Sequence, residues 1–331
     1  MKSLYASVDL GGTNVTAAIA DAEGLILAED KQPTQSHEGP AAVLERIAAM
    51  IQALGARSGG QPLALGMGVP GLVDLAHGVT KFLPNLPTQW RDVPVRSILE
   101  PKLGCPIHLL NDARAAALGE LEFGRGRDAR TMVFFTLGTG VGGGVVVDRQ
   151  LRLGPLGAAG EIGHQTILPD GPLCGCGNRG CLETLASGPA IAAEGVRLLL
   201  SGNAPKLHEL CDGNTSKVSP ATMGAAARAG DASVAAAIQR AAEWLGIGAA
   251  NLVTVLHPDL IVLGGGVAEL DDLLLNPVRE TIRRRVGMFP TADVRLQRSA
   301  LGDKAGLLGG FALARHGGLK PSGPQETRHA L

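Results

Sequence analysis

Three groups of residues in this chain of 331 have types and spacings suited to chemistry. The first is a pair of glycine–threonine turns, Gly11-Gly12-Thr13 followed by Asn14, and Gly138-Thr139-Gly140. Backbone N–H groups at such turns converge on an anion, because no side chain blocks its approach. Thr13 and Thr139 each add a hydroxyl donor, so two such turns face to face would grip a polyphosphate from both sides. The second group is Cys174-x-Cys176-x4-Cys181, in the loop CGCGNRGC, with His164 ten residues upstream. Three thiolates and an imidazole fill a tetrahedral zinc sphere and leave no open position, which makes such a metal structural. The alternative is three reduced loop cysteines without a metal. The third group is acidic. Asp112 follows an apolar run and Asn111 and precedes an alanine-rich segment. A carboxylate at the end of a buried strand is a common seat of chemistry in α/β proteins, but capping the next helix is the commoner use of Asp there. Glu161 and His164, three residues apart, and Glu183, just past the cysteines, converge if zinc clamps the loop. Carboxylates and imidazole in one place suit a polyhydroxylated ligand.

Two other phosphate motifs fail. A Walker A loop needs Gly-Lys, and that dipeptide occurs nowhere in the chain. Gly138-x-Gly140-x-x-Gly143 matches a dinucleotide fingerprint, yet it runs into Val145-Val146-Val147-Asp148, a strand, where the fingerprint requires a helix.

These groups need a folded frame, and composition supports one. Glycine is 47 of 331 residues, about 14% and about twice ordinary usage. There is no Gly-X-Y period, so collagen is excluded. Hydrophobic residues are 45%, too many for a disordered chain. The glycines therefore belong to sharp bends and close approaches. A net charge of −1 argues against a nucleic-acid-coating surface. No apolar run reaches the roughly 18 residues that span a bilayer. The N-terminus MKSLYASVDL has no signal core, which points to a reducing, cytoplasmic setting. Cys105 and Cys211 read as small packed hydrophobes.

Hydrophobic spacing predicts strands at 4–10, 15–20, 25–30, 64–69, 107–110, 131–137, 145–147 and 260–263. It predicts helices at 40–54 (ended by Gly55), 113–123, 271–286 and 305–315, and mostly helix over 187–256. The stretch 150–187 reads as loop. The segments 9–21 and 136–148 share one frame of strand, Gly/Thr turn, second strand and Asp, at a constant offset of 127. This suggests a duplicated α/β unit.

Taken together, the chain resembles the ROK family of sugar kinases (the bacterial glucokinase and N-acetylhexosamine kinase type), in the actin-like ATPase superfamily. The pieces that carry the resemblance are DLGGTN at 9–14, GVPG at 68–71, LPNLP at 83–87, LLNDARAAALGE at 109–120, LGTGVGGG at 137–144, EIGH at 161–164, CGCGNRGCLET at 174–184 and LGGGV at 263–267. The resemblance implies a two-domain α/β, ribonuclease H-like fold of duplicated βββαβα units with a cleft between domains that closes on substrate. Residues 1–115 plus about 303–316 would form the small domain and 116–302 the large one, which carries the zinc loop and adenosine site; 317–331 would be a disordered tail. It implies that Asp9, Gly11, Gly12, Thr13, Asn14, Gly138, Thr139 and Gly140 serve ATP phosphates and Mg²⁺, and Gly264, Gly265 and Gly266 the adenosine. It implies sugar contacts from Gly71, Asn85, Asn111, Asp112, Glu161, His164 and Glu183, and structural zinc on His164, Cys174, Cys176 and Cys181. Asp112 becomes the general base, which reverses the helix-cap preference. A zinc that fixes the His164 ring would act on the sugar without touching phosphate.

Within this class glucose is the expected acceptor, with N-acetylmannosamine and N-acetylglucosamine as alternatives. The chain reads Asn85-Leu86-Pro87-Thr88-Gln89-Trp90 where the family's glucokinases commonly read Asn-Leu-Pro-Gly-Trp. A sugar-responsive repressor of the same family would need a helix-turn-helix ahead of DLGGTN, for which residues 1–8 leave no room. A sugar-binding or chaperone-like ATPase has no use for a zinc-clamped sugar site. The expected partners are a hexose and ATP, neither nucleic acid nor membrane, and the resemblance implies a homodimer or homotetramer.

Overall fold

The computed structural model describes residues 3–320. The tail expected from 317 falls mostly on 321–331, outside the described residues; 317–320 carry no helix or strand. The chain folds as two compact units. The first holds the chain up to Arg127, Gln150–Gly160 and everything from Asp303 on; the second holds Asp128–Arg149 and Glu161–Gly302.

In the first unit, β1 (Leu4–Leu10) and β2 (Asn14–Asp21) form a hairpin, followed by β3 (Ile26–Pro33), α1 (Pro40–Ser58) and β4 (Leu65–Val69). A small hairpin of β5 (Leu72–Asp74) and β6 (Val79–Phe82), then α2 (Val95–Leu103), β7 (Ile107–Asn111) and α3 (Asp112–Phe123) complete this stretch. The sheet order is β3-β2-β1-β4-β7, antiparallel across β1, β2 and β3 and parallel across β1, β4 and β7. The parallel strands end side by side: Asp9 lies opposite Gly68, and Val69 opposite Asn111. Helix α1 does not stop at Gly55 as its sequence suggests. It runs to Ser58, and Gly59, with φ of 88°, caps it. Gly55 is needed inside the helix because the Gly60 carbonyl would lie 2.9 Å from a Cβ there.

In the second unit, β8 (Met132–Leu137) and β9 (Val141–Val147) form the corresponding hairpin. The chain passes through β10 (Gln150–Leu151), which belongs to the first unit, and the second unit resumes with α4 (Glu183–Ala186), α5 (Gly188–Leu200), α6 (Pro205–Cys211), α7 (Pro220–Arg228) and α8 (Ala232–Leu256), then β11 (Leu260–Gly264), α9 (Asp272–Arg285) and β12 (Arg295–Arg298). β8 is antiparallel to β9 and parallel to β11, which is parallel to β12. The arrangement β9-β8-β11-β12 thus repeats β2-β1-β4-β7 in order and direction. The constant offset holds only through the first strand of each pair. The last paired residues are Leu10 with Val15 and Leu137 with Val141, so the second turn is one residue shorter. The core of this unit packs the apolar face of α8 (Val234, Ile238, Leu245, Val253) with Val133 and Phe135 of β8 and Ile261 and Leu263 of β11.

Strand β9 begins at Val141, earlier than the expected 145, and so includes the glycine run 142–144. The reason is close packing. A Cβ on Gly143 would overlap the Ile162 side chain, and one on Gly163 the Val141 carbonyl. The short 3-10 turn Ile162–His164 therefore lies directly on a glycine strand.

Helix α10 (Ala305–Arg315) returns to the first unit. It meets α3 backbone to backbone, since a Cβ on Gly119 would overlap the Ala305 carbonyl and one on Gly309 the Ala115 carbonyl. This contact keeps all of α3 in the first unit, so the boundary falls at 127/128 rather than at 115/116, and 150–160 also belongs to the first unit. No helix among the described residues is long and apolar enough to cross a membrane.

Candidate functional site

The first unit gathers its residues where β1, β4 and β7 end. Asp9 lies between two glycines: a Cβ on Gly306 would be 3.3 Å from its carboxylate, and one on Gly68 3.7 Å. Burial pushes the Asp9 carboxyl above its ordinary range, and Lys31 partly offsets this. A carboxylate whose charged form is disfavoured in this way gains from a cation, which fits a Mg²⁺-organising role.

The turn after β1 closes with the Gly11 N–H donating to the Asn14 carbonyl at 2.9 Å. Its other carbonyls are taken from outside. Thr34 donates its hydroxyl to Gly11 at 2.7 Å and its N–H to Thr13 at 2.8 Å. Gly12, Thr13 and Asn14 are exposed. Gly12 rests on the loop that carries Asn85, whose carbonyl would be 3.0 Å from a Cβ on Gly12. In that loop the Leu83 N–H donates to the Gln89 carbonyl and the Gln89 N–H to the Leu86 carbonyl, each at 2.8 Å. Gln89 (φ 54°) and Trp90 (φ 38°) are two successive left-handed residues. Such conformations cost roughly 1–2 kcal/mol per non-glycine residue. Burial of Trp90, 1% exposed, holds the loop against that cost. Gly71, with φ of 119°, lets the chain pass so close to the Phe82 carbonyl that any Cβ would overlap it.

The helix-cap role that the sequence offered to Asp112 falls to Asn111. The cap of α3 is Asn111: its Oδ1 accepts from the Ala113 N–H at 3.0 Å and the Arg114 N–H at 3.3 Å. Its Nδ2 donates to the Gly71 carbonyl at 3.2 Å. Asp112 is the first residue of the helix, with Oδ1 accepting from the Ala113 N–H at 2.8 Å.

The second unit carries the remaining residues. In its turn the Gly138 N–H donates to the Gly140 carbonyl at 2.9 Å, and the Gly138 carbonyl accepts from the Gly188 N–H of α5 at 2.8 Å. Thr139 is exposed. Gly264 pairs with Thr136 across β11 and β8, which brings the 264–266 glycines beside this turn. Gly265 (φ 81°) lies against the Leu137 backbone so closely that a Cβ would overlap it, whereas Gly266 faces open space.

The ligand atoms of His164, Cys174, Cys176 and Cys181 all lie within 4.8 Å of one another. Cys176 Sγ and Cys181 Sγ are 3.7 Å apart, and Cys174 Sγ is 3.6 Å from His164 Nδ1. No disulfide forms among them. Zinc bonds of about 2.3 Å at tetrahedral angles give sulfur–sulfur edges of about 3.8 Å, so the cradle fits zinc. Burial, with the neighbouring thiols, pushes Cys181 up to about 12 and raises Cys174, while the Asn178 N–H lowers Cys176. His164 Nδ1 faces the sulfurs, and its Nε2 lies 4.0 Å from Glu161.

Glu183 lies beside the cysteine loop, as expected, and also reaches the 138–140 turn. One carboxylate oxygen lies 3.9 Å from Cys174 Sγ, and the other accepts from the Val141 N–H at 2.9 Å, at the end of the glycine turn. Gly140 must lack a Cβ to admit that oxygen. The cysteine loop and the 138–140 turn are therefore bridged by one carboxylate.

Sequence inspection missed Gly306, which makes room for Asp9, and Arg114. The signal for Arg114 was an arginine inside an alanine-rich helix; its side chain is 1% exposed.

A model of the ROK family matches residues 5–317. The glucokinase of Streptomyces coelicolor is 38% identical over 317 residues, covering 94% of this chain and 98% of that protein. The xylose repressor of Bacillus subtilis is 30% identical over 305 residues, covering 91% of this chain and 74% of that protein. The crystal structure of a ROK family glucokinase from Streptomyces griseus, in complex with glucose and AMPPNP, superposes with a TM-score of 0.81 at 36% identity. It covers 95% of this chain and all of that one. The chain belongs to the ROK family and has its actin-like ATPase fold.

Proposed function

We propose that this sugar kinase transfers the terminal phosphoryl group of ATP, with Mg²⁺, to the 6-hydroxyl of glucose. The observation that carries the reading lies at β7–α3. Asn111 caps the helix, and Asp112, its first residue, stands with Asp9 at the end of the same parallel strands, both beside Gly68.

Phosphoryl transfer needs placement and neutralised charge more than covalent help. The exposed N–H groups and hydroxyls of the two glycine–threonine turns hold the phosphates, Asp9 organises Mg²⁺ through its water, and Gly264–Gly266 lie along the adenosine. Gly71, Asn85, Asn111, Glu161, His164 and Glu183 bind the sugar. Asp112 orients the 6-hydroxyl and accepts its proton as the new O–P bond forms. His164, Cys174, Cys176 and Cys181 hold zinc, which supplies a fixed ring orientation for His164 and takes no part in the transfer. With Nδ1 committed to the metal, Nε2 is left as a donor to a sugar hydroxyl. Glucose is favoured by the glucokinase relatives. A cytoplasmic homodimer or homotetramer completes the reading.

ADP release is to be measured with ATP–Mg²⁺ and, in turn, glucose, mannose, fructose, N-acetylmannosamine and N-acetylglucosamine. Glucose is expected to give the highest kcat/KM. Preference for an N-acetylhexosamine would move the acceptor within the class. Absence of sugar-dependent ADP release would overturn the kinase reading and return the chain to a sugar-binding regulator.

A further inference from the structure

Arg114 lies in α3, two residues after Asp112, and its side chain is almost wholly buried. A buried guanidinium is costly unless its N–H groups meet acceptors. Three of them do so at three different residues. One terminal nitrogen donates to Asn111 Oδ1 at 2.8 Å, the other to the Ala158 carbonyl at 2.9 Å, and Nε to the Ala159 carbonyl at 3.0 Å.

One end of this fork touches Asn111, a member of the predicted sugar set, and the other the Ala158–Ala159 backbone just ahead of Glu161. Asn111 Oδ1 is taken by Arg114 and the start of α3, and one Nδ2 hydrogen goes to Gly71. That fixes which face of the amide is oxygen and which is nitrogen, and leaves a single N–H in a fixed direction. At the other end, Ala158 and Ala159 precede Glu161 by three and two residues. Their turn is anchored by the Ala159 N–H on the Leu153 carbonyl at 3.0 Å, and Gly157 packs against Leu75. Charge-assisted bonds of this kind are roughly twice as strong as neutral ones. Only a planar fork reaches all three acceptors; an ammonium is a single point.

We propose that Arg114 is a positioning residue for the acceptor sugar. It locks the Asn111 amide beside Asp112 and holds the backbone leading into Glu161. This rests on the hexose-kinase reading for the role of those residues, but not for the lock itself.

The test compares Arg114→Gln and Arg114→Lys with the wild-type chain. In Arg114→Gln, kcat/KM for the sugar falls about 10²-fold, the usual cost of a misplacement on the order of 1 Å. The sugar KM rises while the KM for ATP stays within about two-fold, and Arg114→Lys recovers only part of the loss. A purely structural role would lower the melting temperature and the active fraction but leave the sugar KM of the folded enzyme unchanged; that result overturns the proposal. The second readout needs no activity. The Asn111 side-chain amide signal, in protein labelled with ¹⁵N-asparagine and identified by its loss in Asn111→Ser, is expected to shift and exchange faster with solvent in both Arg114 variants. An unchanged signal overturns the lock. Should Arg114→Gln not fold, Arg114→Lys carries both readouts. Should the wild type phosphorylate no hexose, the kinase reading falls alone, and the amide signal still decides the lock.

Discussion

Asn111 and Asp112 both bond the start of α3, Asn111 as its cap. A helix start needs a side-chain acceptor for its first N–H groups, and Asn111 supplies it. Replacing Asp112 by Asn keeps the shape and removes the proton acceptor. Turnover at saturating sugar is then expected to fall by about 10²–10⁴-fold, the weight of general-base catalysis, with an unchanged circular dichroism spectrum. Near wild-type turnover would exclude Asp112 as the base. The candidate site residues were legible as candidates in the sequence because they sit in short motifs. Their connections were not. Glu183 bonds Val141 across 42 positions, and Arg114 bonds Ala159 across 45. No spacing rule reaches that far, because the third dimension brings those atoms together. The choice between Asn111 and Asp112 as cap also lay beyond the sequence. Both types cap helices well, and which one starts the helix is settled by where β7 ends.

The cysteine loop is an element with two neighbours. Its Cys174 lies beside the His164 ring on one side and reaches the 138–140 turn through Glu183 on the other. Elemental analysis of protein prepared without chelators is expected to show one zinc per chain. Stripping it is expected to lower the melting temperature and to raise the KM for both sugar and ATP; a change in the sugar KM alone would disconnect Glu183 from the loop. Strand β7 gives a second prediction. Burial, with Arg96 nearby, holds the His108 imidazole below its ordinary value of 6.5, and Gly318 packs against its ring. A base kept neutral on folding contributes stability that is present above 6.5 and lost as pH falls towards the folded value. Thermal melts are therefore expected to decline on acidification below about 6.5, and His108→Gln to flatten that decline. An equal slope in the variant would exclude His108 as a source. Long elements such as α8 and α10 were legible from periodicity. The glycine strand β9 was not, because its glycines answer to Ile162 and Gly163, not to local turn formation.

At the scale of the whole molecule, the repeated order of β2-β1-β4-β7 and β9-β8-β11-β12 was foreshadowed by the shared frame of residues 9–21 and 136–148. The one-residue difference between their turns stayed hidden, since an unpaired residue leaves no mark on composition. The return of α10 to the first unit was part of the expected division; the boundary after Arg127 and the membership of 150–160 were not. Ser7 donates its hydroxyl to the Leu307 carbonyl at 2.6 Å, and a Cβ on Gly310 would lie 2.9 Å from the Gly66 carbonyl, so α10 lies flat on β1 and β4. It buries Leu307, Leu308, Phe311 and Leu313. At about 1.5–3 kcal/mol each, these four side chains are comparable to the roughly 5–15 kcal/mol that keeps a whole domain folded. A chain ending at Lys304 is therefore expected to lose the cooperative melting of its first unit; a transition at the wild-type temperature would contradict this. The same helix sets a timetable for biosynthesis. Ser7 and Gly66 leave the ribosome early, but the surface that covers them is translated some 240 residues after Gly66. The newborn first sheet waits through synthesis of the entire second unit with one face unsheltered, and for that interval its protection falls to the cell's chaperones.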